Sequence, residues 1–192
     1  MSLHSATKYL NGHSDLVAGV SIGKGEWIGA IKSLQNHLGG SLDPHACYLL
    51  HRGLRTLAVR VRQQNASALR IAEFLAGRSE VAKVNYPGLS THPHHERARE
   101  LFTGFGGMLS YELVGDAERA LRFADGLQLA LHGPSLGGTE TLISVPARLS
   151  HAGMTPEERA AMGVSDQLLR MSVGLEDADD LIADITQSLE RS

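Results

Sequence analysis

The chain has 192 residues, 42% of them hydrophobic, enough to bury one sizeable core or one core and part of a second. Its net charge of -3, with the basic residues scattered, gives no electrostatic footprint for nucleic acid or anionic lipid and leaves small-molecule chemistry as the expectation. No apolar run approaches the roughly twenty residues that span a bilayer, and the N-terminus lacks a basic segment followed by an apolar one; no membrane partner is expected, and the address is read as cytoplasmic.

Residues 1–40 are Gly-rich. Their apolar segment 16–22, followed by Gly23-Lys24-Gly25, predicts strands joined by a tight turn. The polar opening Ser5-Ala6-Thr7-Lys8-Tyr9 reads as the middle of a domain, and Met1-Ser2-Leu3 resembles an added initiation sequence. Gly23-Lys24-Gly25 lacks the rest of a phosphate-loop pattern, and Trp27 reads as a packing residue.

Asp43-Pro44 marks a helix start, an N-cap acceptor followed by a residue whose missing N–H is no loss at the first helical position. Leu49, Leu50, Leu54, Leu57, Val61, Ala68, Ile71 and Leu75 then recur at near-helical spacing, which predicts one long helix over 44–78 with a kink near Gly53. Such a length suits a connector between domains. Cys47, the single cysteine, rules out an intrachain disulfide framework and a thiolate zinc cluster, and within Ala46-Cys47-Tyr48-Leu49-Leu50 it reads as a small buried hydrophobe.

Residues 79–192 alternate short strands with helices: strand 81–86, helix 93–102, strand 108–114, helix 117–126 and strand 129–132. Thr155-Pro156-Glu157-Glu158 is a capping box, and Gly163 closes the short helix that follows. Leu168-Leu169-Arg170-Met171-Ser172-Val173 alternates, placing Arg170 and Ser172 on one face and Leu169, Met171 and Val173 on the other. Asp177 to Asp180 open a final helix with the stripe Leu181, Ile182, Ile185, Leu189. His92, His94 and His95 offer metal-ligating nitrogens, but with neither cysteine partners nor an i, i+4 pair they read as an exposed helix start, and no metal is expected.

Two side chains carry reactive chemistry. Lys8 has hydroxyls on alternate positions, Ser5 and Thr7, and Gly12 nearby lets backbone approach a phosphate-bearing ligand. A lysine forms a Schiff base once its amine spends time neutral; a lysine beside two hydroxyls is, taken alone, ordinarily a solvated surface residue. Arg170, projecting from a strand, suits a bidentate grip on an amino-acid carboxylate; its bland alternative is an ion pair with Glu176 or Asp177.

The whole run Ser5-Ala6-Thr7-Lys8-Tyr9-Leu10-Asn11-Gly12-His13-Ser14-Asp15 closely resembles the pyridoxal-phosphate attachment segment of the Cys/Met-metabolism (trans-sulfuration) enzymes. Arg52-Gly53-Leu54-Arg55-Thr56-Leu57, Tyr86-Pro87-Gly88-Leu89, Gly133-Pro134-Ser135-Leu136-Gly137-Gly138 and Leu169-Arg170-Met171-Ser172-Val173-Gly174-Leu175-Glu176-Asp177 match that family in the same order, so the resemblance covers nearly the whole chain. It implies an α/β fold, the C-terminal part of a fold-type I pyridoxal-phosphate-dependent transferase. Residues 1–43 would be the tail of the large cofactor domain, 44–78 the connecting helix, and 79–192 a small domain with a mainly antiparallel sheet covered by helices.

The resemblance also assigns roles. Lys8 is implied to hold the cofactor aldehyde, Ser5 and Thr7 its phosphate, and Arg170 the substrate carboxylate, while Ser135 would stand beside the cofactor lysine as a catalytic and substrate-binding residue; its alternative is an ordinary turn hydroxyl. The implied reaction is β- or γ-elimination or γ-replacement on a sulfur amino acid, of the cystathionine γ-lyase or γ-synthase type. Methionine γ-lyase and O-acylhomoserine sulfhydrylase activities are alternatives, as is a non-catalytic assembly or binding module. Pro134 stands where many family members carry glutamate, which lowers the expected preference for a distal ammonium. The implied partners are the substrate, further copies in a dimer or tetramer, and an N-terminal half bearing the ring-stacking tyrosine, the aspartate on the pyridine nitrogen and a Gly-rich phosphate loop. Without that half the chain is expected to be inactive.

Overall fold

In the computed structural model, which describes residues 1–192, the chain forms two units, Met1–Val59 and Arg60–Ser192. No helix is long and apolar enough to cross a membrane.

The first unit opens with strand β1 (Ser2–Ser5), antiparallel to β2 (Gly19–Ile22), with His4 opposite Val20. The expected turn at Gly23-Lys24-Gly25 does not lead to another strand. It leads into helix α1 (Gly25–Leu38), because Trp27, Ile31, Leu34 and Leu38 repeat every three or four residues. No residue of α1 is buried, and Trp27, read above as packing, is 46% exposed.

Helix α2 (Pro44–Leu54) starts where Asp43 predicts: its Oδ1 accepts from the N–H of His45 at 2.9 Å and of Ala46 at 3.0 Å. The predicted single helix is two. After α2 the N–H groups of Arg55 and Thr56 reach back only three residues, to the carbonyls of Arg52 and Gly53, and α3 (Leu57–Ala76) begins at Leu57. The buried residues of α2 are Ala46 and Gly53, two turns apart. Cys47 sits about 100° round the helix from Ala46 and is exposed, which overturns its reading as a buried hydrophobe.

The second unit is a five-stranded sheet in the order β3 (Val81–Asn85), β4 (Met108–Leu113), β7 (Leu168–Ser172), β6 (Leu142–Ser144), β5 (Leu131–His132). Three of its four pairings are antiparallel and β5–β6 is parallel, so the sheet is mainly antiparallel as the family resemblance implies. Strand β4 alternates buried and half-buried residues, sending Leu109, Tyr111 and Leu113 into the core beside Ile143, Leu169 and Met171. Helix α3 adds Ala68, Ile71, Ala72 and Leu75 to that core. Helices α5 (Ala117–Gly126) and α7 (Ala178–Arg191) add Ala120, Phe123, Ala124, Leu181, Ile185 and Leu189. Burying each of the larger apolar side chains contributes roughly 1.5–3 kcal/mol. The Tyr111 and Phe123 rings meet edge to face at 6.0 Å.

Local signals set the remaining boundaries. Helix α4 (His95–Leu101) is shorter at both ends than predicted. In α6 (Pro156–Ala161) the capping box is present in both directions, and Gly163 follows at φ +72°. Asp177 caps α7 by accepting from the N–H of Asp179. The histidines near α4 are engaged locally: His95 Nδ1 lies 2.8 Å from the Pro87 carbonyl, and His92 Nδ1 accepts from the His94 N–H.

Candidate active site

Lys8 lies in a tight turn, Ala6–Leu10, closed by the Asn11 N–H on the Ala6 carbonyl at 3.0 Å and the Gly12 N–H on the Lys8 carbonyl at 2.8 Å. At Lys8 itself the backbone leaves helical geometry (φ -94°, ψ -127°), so two short turns meet at the half-buried lysine. Gly12 then takes the left-handed conformation, φ +74°, that a residue without Cβ adopts most easily.

The turn is tied to its own unit at several points. The N–H groups of Ala6 and Thr7 both donate to the Ala18 carbonyl, at 2.8 and 3.2 Å, and the Ala18 N–H donates to Thr7 Oγ1 at 2.9 Å. Asn11 Nδ2 donates to Asp15 Oδ1 at 2.8 Å. Helix α2 rests directly on the chain just after the lysine: a Cβ at Gly53 would lie 2.2 Å from the Asn11 carbonyl oxygen. Only glycine permits that approach, which gives the Arg52-Gly53-Leu54 segment a physical purpose.

The donor set of this turn fits a phosphorylated aldehyde. It combines a primary amine, the exposed Ser5 hydroxyl at the end of β1, and a Thr7 hydroxyl whose oxygen already accepts one N–H. The 3.3 Å between Thr7 Oγ1 and the Ala18 carbonyl is long for an O–H bond, so that hydroxyl can donate to a better acceptor.

Arg170 occupies the middle of β7, its register partners Ser110 on β4 and Ser144 on β6 giving this face of the sheet a polar strip. Its Nη2 donates to the carbonyls of Pro134, at 2.7 Å, and Ser135, at 3.2 Å. The side chain is therefore aimed by the main chain of the loop between β5 and β6. The alternative ion pairs are absent: Glu176 binds Thr141, and Asp177 is engaged in capping α7. The geometry thus brings Arg170 to Ser135 in the second unit, and Ser5, Thr7 and Lys8 together in the first. Beside the same loop is a mainly apolar cleft of about 260 Å³ bordered by Leu121, His132, Pro134, Val145 and Leu149.

Sequence reasoning passes over the supports of that loop. The Glu176 carboxylate takes both the N–H and the hydroxyl of Thr141, each at 2.7 Å, and Thr141 Oγ1 accepts from the Gly174 N–H at 2.8 Å. Further along, Ser172 Oγ accepts from the Gly137 N–H at 2.9 Å, and Gln64 Nε2 donates to the Gly138 carbonyl at 2.7 Å. The available signal was the Gly174-Leu175-Glu176 segment just after β7, which sequence reasoning treated as motif and not as structure.

Comparison with known proteins identifies the family. The family profile described as Cys/Met metabolism PLP-dependent enzyme matches residues 1–190. The chain is 46% identical over 188 residues to a chloroplastic cystathionine gamma-synthase of Arabidopsis thaliana, covering 98% of this chain and 33% of the relative. It is 46% identical over 189 residues to a cystathionine gamma-lyase of Bacillus subtilis, covering 98% and 50%. A crystal structure of cystathionine gamma synthase from Xanthomonas oryzae pv. oryzae in complex with cystathionine superposes with a TM-score of 0.93 at 46% identity, over 98% of this chain and 49% of that one. The chain thus spans half or less of the length of these relatives. With its profile matched almost end to end, and with the α/β fold of its cystathionine gamma-synthase neighbour, the chain belongs to the family of Cys/Met metabolism PLP-dependent enzymes, for which pyridoxal phosphate is the cofactor.

Proposed function

We propose that this chain is the C-terminal portion of a carbon–sulfur lyase or transferase of the cystathionine γ-lyase/γ-synthase type, acting by β- or γ-elimination or γ-replacement on a sulfur amino acid. The observation that carries the reading is the Arg170 guanidinium, held at one nitrogen by two loop carbonyls and paired with no carboxylate of this chain. Pyridoxal phosphate, when bound, supplies the electron sink for bonds at the substrate α-carbon. Ser5 and Thr7 would hold the phosphate and Lys8 the aldehyde, and the Lys8 amine, when not so engaged, would move protons at the substrate carbons. Arg170 anchors the carboxylate, and Ser135, whose carbonyl Arg170 grips, stands beside it as a substrate-binding residue.

In this reading residues 1–43 are the tail of the cofactor domain, 44–78 the connecting segment and 79–192 the C-terminal domain. The rest of the enzyme supplies the groups that stack on the cofactor ring and complete the phosphate site, so the chain alone is inactive. Support comes from the first unit, where Val17, Ile22, Leu34 and Leu38 are all exposed, as surface meant to be covered would be. Self-association into a dimer or tetramer belongs to the same reading. Pro134 favours a second substrate choice, a neutral thioether or an acylated homoserine, because proline offers no carboxylate to a distal ammonium.

Borohydride reduction of the cofactor-loaded enzyme followed by peptide mass spectrometry tests the assignment. The phosphopyridoxyl mass is expected on Lys8 and not on Lys24, Lys32 or Lys83. Labelling at one of those lysines, or no turnover of cystathionine, methionine and acylated homoserines by the complete enzyme, overturns it.

A further inference from the structure

We propose that Thr141 and Glu176 are positioning residues for Arg170, forming a clamp that presents an un-neutralised guanidinium to the substrate carboxylate; this rests on the reading of Arg170 as the carboxylate anchor. The loop 133–141 has no secondary structure of its own, yet it supplies the two carbonyls that aim Arg170. Its shape has to come from attachments. At its far end Thr141, fully buried, gives its N–H and its hydroxyl to the two oxygens of one carboxylate, Glu176, both at 2.7 Å. Charge-assisted bonds of this kind are the stronger sort, and two of them from one residue fix both position and angle.

The hydroxyl is used twice. While donating to Glu176 it accepts the Gly174 N–H at 2.8 Å, and the Leu175 N–H closes on the Thr139 carbonyl at 2.7 Å. The segment after β7 is thereby stitched to the end of the loop. The stitch leaves no room for a side chain: a Cβ at Gly174 would come within 2.3 Å of the Thr139 carbonyl oxygen, 2.4 Å of Glu176 Oε2 and 2.5 Å of the Thr141 nitrogen.

The clamp has an electrostatic consequence as well. Glu176 lies six residues beyond Arg170 and is a carboxylate that could pair with it. Turned onto Thr141, it leaves the guanidinium engaged only by neutral carbonyls. One pair of residues thus shapes the loop that aims the cation and withholds the anion that would quench it.

The test compares Thr141→Val, Thr141→Ser and Arg170→Lys in the cofactor-loaded enzyme, with hydrogen exchange on the same proteins. Thr141→Val is expected to raise KM for the amino-acid substrate about tenfold with kcat changed less than about threefold, in line with the loss of hydrogen bonds to a charged group. Amides 135–140 should exchange at least about tenfold faster while those of β4 and β7 keep their protection. Thr141→Ser should restore both. An unchanged KM in Thr141→Val, or an equal loss of protection throughout β4 and β7, overturns the clamp. If Thr141→Val does not fold, Glu176→Gln provides the same comparison, with KM expected to rise about threefold. Arg170→Lys separates the two ideas: if it too leaves KM unchanged, the carboxylate-anchor reading falls, whereas a raised KM there beside an unchanged one in Thr141→Val sinks the clamp alone.

Discussion

The two units are held in shape by different means. In Arg60–Ser192 a contiguous core running from Ala68 to Leu189 joins three helices to three strands, and the sheet takes its form from what it buries. In Met1–Val59 very little is buried, chiefly Ala6, Asn11, Gly12, Ala46 and Gly53. There the form comes from backbone hydrogen bonds around Ala18 and from the close approach of Gly53 to Asn11. The difference shows that the turn carrying Lys8 is placed by main-chain geometry with almost no hydrophobic interior under it.

The sharpest way to break this comparison is to remove apolar side chains from both units. Phe123→Ala, in the interior of the second, should cost about 3–5 kcal/mol in urea unfolding. Leu34→Ala on exposed α1 should change stability by no more than about 0.5 kcal/mol; a loss as large as that of Phe123→Ala would mean that the first unit has an interior after all. Gly53→Ala probes the other mechanism. Its new methyl meets the Asn11 carbonyl, and overpacking of this kind costs about 1–3 kcal/mol. Faster exchange of the Gly12 amide, which is bonded to the Lys8 carbonyl, is the local readout.

The smallest effect concerns protons. Partial burial, and then the neighbouring His94 and His95, hold His92 below its ordinary value of 6.5. The unfolded chain therefore takes up this proton more readily than the folded one as pH falls through 6.5. The contribution of a neutral His92 to stability is complete above that pH and is lost below it. Replacing His92 with Gln should flatten the acid side of the stability profile slightly, and an unchanged slope would show that the histidine cluster does not contribute.

What could be read from the residues follows how local each signal is. Helix α5 matches its expected bounds, and β4, β7 and α7 nearly so, because their alternation or stripes are long enough to identify and Asp177 is an ordinary cap. Helix α1 was missed because Gly25 and Gly29 hide its stripe, and β6 because three residues are too few to show a period. The break at Arg55-Thr56 falls where the kink near Gly53 is expected, whereas the approach of Gly53 to a backbone forty-two positions earlier lies outside any local window. The site divides the same way. Lys8 and Arg170 announce themselves by chemical type within recognisable runs, while Thr141 and Glu176 act only through each other, 35 residues apart.

The bond from Arg170 to Pro134 has one more implication. It ends on a carbonyl oxygen, the part of residue 134 that every amino acid carries identically. A codon change there would replace the side chain of residue 134 and leave in place the carbonyl that Arg170 holds. In the proposed reading, substrate choice and the aim of the Arg170 cation are thereby carried at a single position by different atoms.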